Sequence, residues 1–144
     1  MAFKFMHAKR RVEQRFHHGF PIDAVVLWVD GSDPTWLKSR EVYQTGVSNT
    51  GTGEYRFRDW GLMRYWFRGI EKFAPWFRRI YFVTCGQRPD WLVERHPKLV
   101  EIHHSDYIPA EFLPTFNSNV IEIFLNRIEG LSEWFVLFND DTFL

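Results

Sequence analysis

The chain has 144 residues, enough for one domain with a real core and too few for two full domains. Hydrophobic residues make up 45% and charged residues 25%, and the formal net charge of zero removes any broad electrostatic attraction to nucleic acid. The single cysteine, Cys85, excludes an internal disulfide framework and suits a reducing compartment, and no apolar run approaches the ~20 residues that span a bilayer.

Residues 1–20 form a basic arm in which Lys4, Lys9, Arg10, Arg11 and Arg15 are mixed with scattered Phe, without the apolar centre of a signal peptide. Such an arm either touches an anionic membrane or polymer peripherally or is a solvated terminus, the commoner fate. The folded domain is expected over 21–144. Residues 22–29 read as a buried strand, rich in Val, Ile, Leu and Trp, and run into Asp30-Gly31-Ser32-Asp33-Pro34. That stretch is dense turn chemistry, and Pro34 sits at the first position of a helix predicted over 35–44. Residues 45–53 have loop composition, a plain connector or a mobile lid over a substrate.

From Arg58 the pattern turns helical. Leu62, Met63, Trp66, Phe67, Ile70 and Phe73 recur at three- and four-residue spacing, with Asp59 as N-cap and Pro75 as stop. Arg64 and Arg68 share a face away from most of that stripe. Residues 78–84 read as a second buried strand that ends in Thr84-Cys85-Gly86-Gln87, where Gly86 allows the backbone close to a ligand. A short turn over 89–93 precedes a third strand over 99–103. Phe116-Asn117-Ser118-Asn119 opens a helix that carries Val120 to Ile128 and stops at Gly130. The last strand, 133–138, reads as buried and ends in Asn139-Asp140-Asp141. This β-α-β-α-β alternation predicts an α/β, Rossmann-like fold, a mainly parallel sheet with helices on both faces. No helix follows to cover the final strand, so the chain is expected to be the leading part of a larger domain.

Two strands thus deliver four carboxylates, Asp30, Asp33, Asp140 and Asp141, to the edge where α/β sheets gather ligands. Adjacent acids at a buried strand end need a cation or donors to keep both ionised, so Asp140 and Asp141 are the candidate ligands of a divalent metal that in turn holds a phosphate. Asp30 and Asp33 read equally as ligands and as an ordinary turn. Asn117, Ser118 and Asn119, with Glu122 one turn on, either cap a helix or hold sugar hydroxyls or a phosphate. Arg64 and Arg68 suit a diphosphate or a solvated face. His17-His18 and His103-His104 lack zinc-site spacing, and the phosphate loop, dinucleotide fingerprint and nucleophile elbow are all absent.

As a set these residues resemble the Stealth family of sugar-phosphate transferases. The run from Ile22 through Pro34 is similar to its first signature region. Leu62-Met63-Arg64-Tyr65, Ile70-Glu71-Lys72-Phe73-Ala74-Pro75-Trp76, Ile80-Tyr81-Phe82-Val83-Thr84-Cys85-Gly86-Gln87, Leu113-Pro114-Thr115-Phe116-Asn117-Ser118-Asn119 and Asn139-Asp140-Asp141 are similar to the second. The family includes bacterial capsular and exopolysaccharide phosphotransferases and is similar to the catalytic core of the animal GlcNAc-1-phosphotransferase. Two further signature regions, which supply basic and imidazole groups, have no counterpart in these 144 residues.

The resemblance implies transfer of a sugar-1-phosphate from a nucleotide sugar to a hydroxyl of a glycan acceptor, on the cytoplasmic side at the inner face of the membrane. In that chemistry Asp140 and Asp141 hold Mg2+ or Mn2+, and Asp30 or Asp33 completes the metal site or takes the hydroxyl proton. Arg64 contacts the diphosphate, while Gly86, Gln87, Asn117, Ser118, Asn119, Glu122 and Asn139 bind the donor. The rival readings are a nucleotide-sugar-dependent glycosyltransferase and an inactive glycan- or nucleotide-binding fragment.

Overall fold

The computed structural model describes residues 19–43, 57 and 59–144. Of the basic arm only Gly19 and Phe20 are among them, and loop 45–53 lies outside. Four strands, β1 (Ile22–Leu27), β2 (Ile80–Thr84), β3 (Leu99–His103) and β4 (Trp134–Phe138), form one sheet in the order β3-β2-β1-β4. Every pairing is parallel, with Val26 opposite both Phe82 and Phe138. Among the described residues the α helices are α1 (Pro34–Tyr43), α2 (Met63–Phe73), α3 (His104–Tyr107) and α4 (Ser118–Ile123).

Strand alternation sorts the core into two layers. Ala24, Val26, Ile80, Phe82 and Phe138 face one way and meet Met63, Trp66 and Ile70 of α2, whose four-residue rhythm gives it that apolar side. Val25, Tyr81 and Val83 face the other way and are covered by Tyr107, Ile108, Leu125 and Ile128. Helical elements therefore lie on both faces, as the α/β, Rossmann-like expectation required. Helix α2, between β1 and β2, lies on one face, and the packed residues between β3 and β4, Tyr107, Ile108, Leu125 and Ile128, lie on the other. The strand order consequently reverses between β1 and β4, which makes that gap the topological switch point.

The amino edge of the sheet is tied by one carboxylate. Asp23 is fully buried, yet it accepts from Arg78 Nε (2.9 Å) and Nη2, from the Arg79 amide (3.1 Å) and from the Ser132 amide (2.9 Å). These donors stand beside the starts of β2 and β4, so Asp23 pins both neighbours to β1.

Three expectations are corrected. Helix α2 begins at Met63 with Leu62 as N-cap, and Asp59 accepts instead from the Gly61 amide at 2.7 Å. Gly61, in the left-handed region at φ +67°, turns the chain before the helix can start at Asp59. The helix after Asn117 stops at Ile123 and gives way to a 3₁₀ turn, Leu125–Arg127. The Tyr107 hydroxyl donates to the Ile121 carbonyl at 3.1 Å, the acceptor a continuing α helix would use. Strand β4 is not buried throughout: it is a sheet edge, with Trp134 57% exposed and only Phe138 enclosed.

Candidate functional site

The carboxyl ends of β1 and β4 are direct neighbours, because Val26 pairs with Phe138. Asp30-Gly31-Ser32-Asp33 follows the first and Asn139-Asp140-Asp141 the second, so the two acidic motifs flank the switch point. Each motif is locally built. Asp30 Oδ1 accepts from the Ser32 amide (2.9 Å) and hydroxyl (2.6 Å), and among the described residues Oδ2 makes no hydrogen bond. Asp33 Oδ1 accepts from the Trp36 amide at 2.7 Å and so caps α1, two residues before which the chain turns. Gly31 has no room for a side chain, since a Cβ there would lie 1.9 Å from the Phe57 carbonyl oxygen.

Asp140 is half-buried, and burial pushes its carboxyl above the usual carboxylate range, with the Asp141 and Asp59 charges pushing the same way. A cation would relieve all three effects. Among the described residues no three His, Cys, Asp or Glu side chains come together closely enough to hold a metal ion. Two carboxylates with a phosphate and waters are nonetheless the usual ligand set of Mg2+ on an enzyme, so Asp140 and Asp141 fit the hard cation expected of them.

The other candidates divide. Gln87, after β2, spends its amide on the Asp30 backbone: the Asp30 N–H donates to Oε1 (2.8 Å) and Nε2 donates to the Asp30 carbonyl (2.9 Å). Gly86 beside it adopts φ +105°, a conformation that favours glycine. Asn117 does cap α4, its Oδ1 accepting from the Asn119 amide at 3.0 Å. Its neighbour Phe116 packs on Trp36 and Tyr43 of α1, at centroid distances of 5.5 and 6.1 Å, which carries Asn117, Ser118 and Asn119 toward the first acidic motif; all three are exposed. Glu122 is half-buried on α4, and Asn139 is exposed at the end of β4. Arg64 points elsewhere: its guanidinium lies 5.9 Å from the Trp91 ring centre. With Phe67, Arg68 and Trp91 it lines a groove of about 620 Å3 whose walls include none of the four acids.

Sequence reasoning missed Asp59 as a neighbour of Asp140, having assigned it to capping. A signal existed, because the helix after a parallel strand starts at the carboxyl edge and its leading acids belong to that edge. Cys85 is exposed just beyond β2, with its thiol raised by partial desolvation and, to a lesser extent, by the Asp33 charge.

At the end of β3, burial and the neighbouring His103 pull His104 down to about 4 from its ordinary 6.5. The unfolded chain binds this proton near pH 6.5 while the folded chain resists until about pH 4. Stability from this group is therefore complete above 6.5 and lost as pH falls toward 4, by about 2–3 kcal/mol. Urea midpoints at pH 7 and 4.5 should show that loss, and His104→Gln should flatten it.

The chain is an α/β domain with an open parallel sheet and acids just beyond its switch point, the edge where such sheets generally bind ligands. Two family profiles match the chain: "Stealth protein CR1, conserved region 1" over residues 20–46 and "Stealth protein CR2, conserved region 2" over residues 56–144. The chain belongs to the Stealth family. It is 52% identical over 125 residues to the capsular polysaccharide phosphotransferase WcwK of Streptococcus pneumoniae, covering 85% of this chain and 37% of that protein. It is 48% identical over 126 residues to the capsular polysaccharide phosphotransferase CpsJ of Streptococcus thermophilus, covering 85% and 53% respectively. Against the exopolysaccharide phosphotransferase cps2G of Lactiplantibacillus plantarum the identity is 49% over 125 residues, covering 87% and 36%. The chain thus spans between about a third and a half of the length of these relatives.

Proposed function

We propose that this chain supplies the metal- and donor-binding part of a sugar-1-phosphate transferase that builds phosphodiester-linked capsular or exopolysaccharide. The observation that carries the reading is the placement of Asp30-Gly31-Ser32-Asp33 and Asn139-Asp140-Asp141 on adjacent strand ends at the switch point. The names of the relatives, all polysaccharide phosphotransferases, support the reaction class.

In the reaction, an acceptor hydroxyl attacks the phosphorus that bears the sugar. A new P–O bond forms, the pyrophosphate P–O bond breaks, and the nucleoside monophosphate leaves with its electron pair. Asp30, held at Oδ1 by Ser32, offers Oδ2 to the hydroxyl proton. Asp33 fixes α1, and through Trp36 and Phe116 the segment Asn117-Ser118-Asn119, which orients the donor sugar. Asp140 and Asp141 would hold Mg2+ or Mn2+, which when bound neutralises charge on the diphosphate. The positioning needed by such a transfer comes from these clamped turns. The same reading puts the work on the cytoplasmic side of the membrane, with the basic arm as a peripheral contact; no helix among the described residues is long and apolar enough to cross a bilayer.

The test is product identity. The full protein that carries this chain, given a panel of nucleotide sugars and a glycan acceptor, should release nucleoside monophosphate and leave a phosphodiester visible by 31P NMR. Release of nucleoside diphosphate with no phosphorus in the product would make it a glycosyltransferase. Donor binding with no turnover would make it a binding protein.

A further inference from the structure

The side chain of Gln87 presents the same pair of groups as a peptide, one carbonyl and one N–H donor. It uses both on a single partner, accepting from the Asp30 amide at 2.8 Å and donating to the Asp30 carbonyl at 2.9 Å. The main-chain ladder between β1 and β2 has its last rung at the Trp28 amide and the Val83 carbonyl (3.0 Å). Beyond it the two chains diverge, and Gln87 supplies a further rung from a side chain. The turn at Gly86, with φ +105° and its amide donating to Thr84 Oγ1 at 3.2 Å, swings Gln87 back toward β1. At the next residue, Gly31 lies against the Phe57 carbonyl. Asp30 is therefore held through its backbone by Gln87 and followed by a glycine packed on Phe57, while its own Oδ1 is held by Ser32.

We infer that Gln87 is a positioning residue: it acts through Asp30 and holds that carboxylate at the switch point. The functional half of this inference rests on the role given to Asp30 above; the clamp itself does not. A backbone displacement of about 1 Å at a reacting group can cost on the order of 100-fold in rate, so a two-point clamp on Asp30 has leverage out of proportion to its size.

The experiment pairs amide hydrogen exchange with steady-state kinetics on the full protein. For Gln87→Ala, exchange at the Asp30 amide should accelerate at least about tenfold, and kcat should fall about 10- to 30-fold with the donor KM changed less than about threefold. Gln87→Glu keeps the acceptor for the Asp30 amide but sets a carboxylate against the Asp30 carbonyl. Its effects should be intermediate, and it serves where the alanine variant does not fold. Unchanged exchange at Asp30 would overturn the clamp, and a raised donor KM at constant kcat would make Gln87 a substrate contact instead. Asp30→Asn separates the two readings. If that variant keeps full turnover, the role of Asp30 fails, and the exchange data alone still decide whether Gln87 holds its backbone.

Discussion

Asp140→Asn in the full protein is expected to lower turnover at least about 100-fold while leaving the fold as stable as before, or slightly more so. The two outcomes share one cause. Burial and the charges of Asp141 and Asp59 already hold the Asp140 carboxyl up, so an amide there removes an unfavourable charge from the folded state. The same removal strips the proposed metal site of one of its two carboxylates. A residue kept for stability would show the reverse, a weaker fold with activity following it. Kinetics at several Mg2+ concentrations, beside thermal unfolding in a chelator, would read both. Full turnover with an unchanged metal requirement would remove Asp140 from the site. Asp141→Asn should behave alike in kcat, with a rise in the Mg2+ concentration needed for half activity.

Asp23→Ala should cost about 3–5 kcal/mol of stability, the usual range when one partner of a buried ion pair is removed. Most of the penalty would come from the amides of Arg79 and Ser132, which lose their acceptor, rather than from Arg78, whose side chain is 38% exposed and can return to water. Asp23→Asn keeps the shape but turns an NH2 toward a ring of donors, and about 2–3 kcal/mol should be lost. Urea unfolding would register either as a lower midpoint at constant slope. Because Asp23 lies at the amino edge and the acids at the carboxyl edge, kcat of the folded fraction should not change. A fall in kcat beyond the unfolded fraction would show that the two edges are coupled.

The strands were the most legible part of the fold. Residues 99–103 were read with the bounds of β3, and Pro34 correctly announced α1, because steric limits at proline and unbroken apolar runs act within a few residues. Boundaries failed where a distant group intervened. Tyr107 intercepts the Ile121 carbonyl and shortens α4, and nothing near Ile121 in the chain announces it. Gly61 was visible, but its left-handed turn was outweighed by the attraction of Asp59 as a cap. For the site, the four acids were legible as strand-end carboxylates. The employment of Gln87 by the Asp30 peptide was not, since its two bonds span 57 positions.

Local chemistry determined the four strands and the helices α1, α2 and α4, though not the short α3, that the fold is α/β, and that carboxylates terminate two of the strands, since each follows from neighbouring residue types and their period. Only the tertiary structure decided that β4 returns to the far side of β1. A run such as Trp-Phe-Val-Leu-Phe suits any place in a parallel sheet, and its position is settled by packing on two faces and by the Asp23 knot, both made of contacts between residues far apart in the chain. That return turns two acidic strand ends, more than a hundred residues apart in the chain, into neighbours at one edge of the sheet.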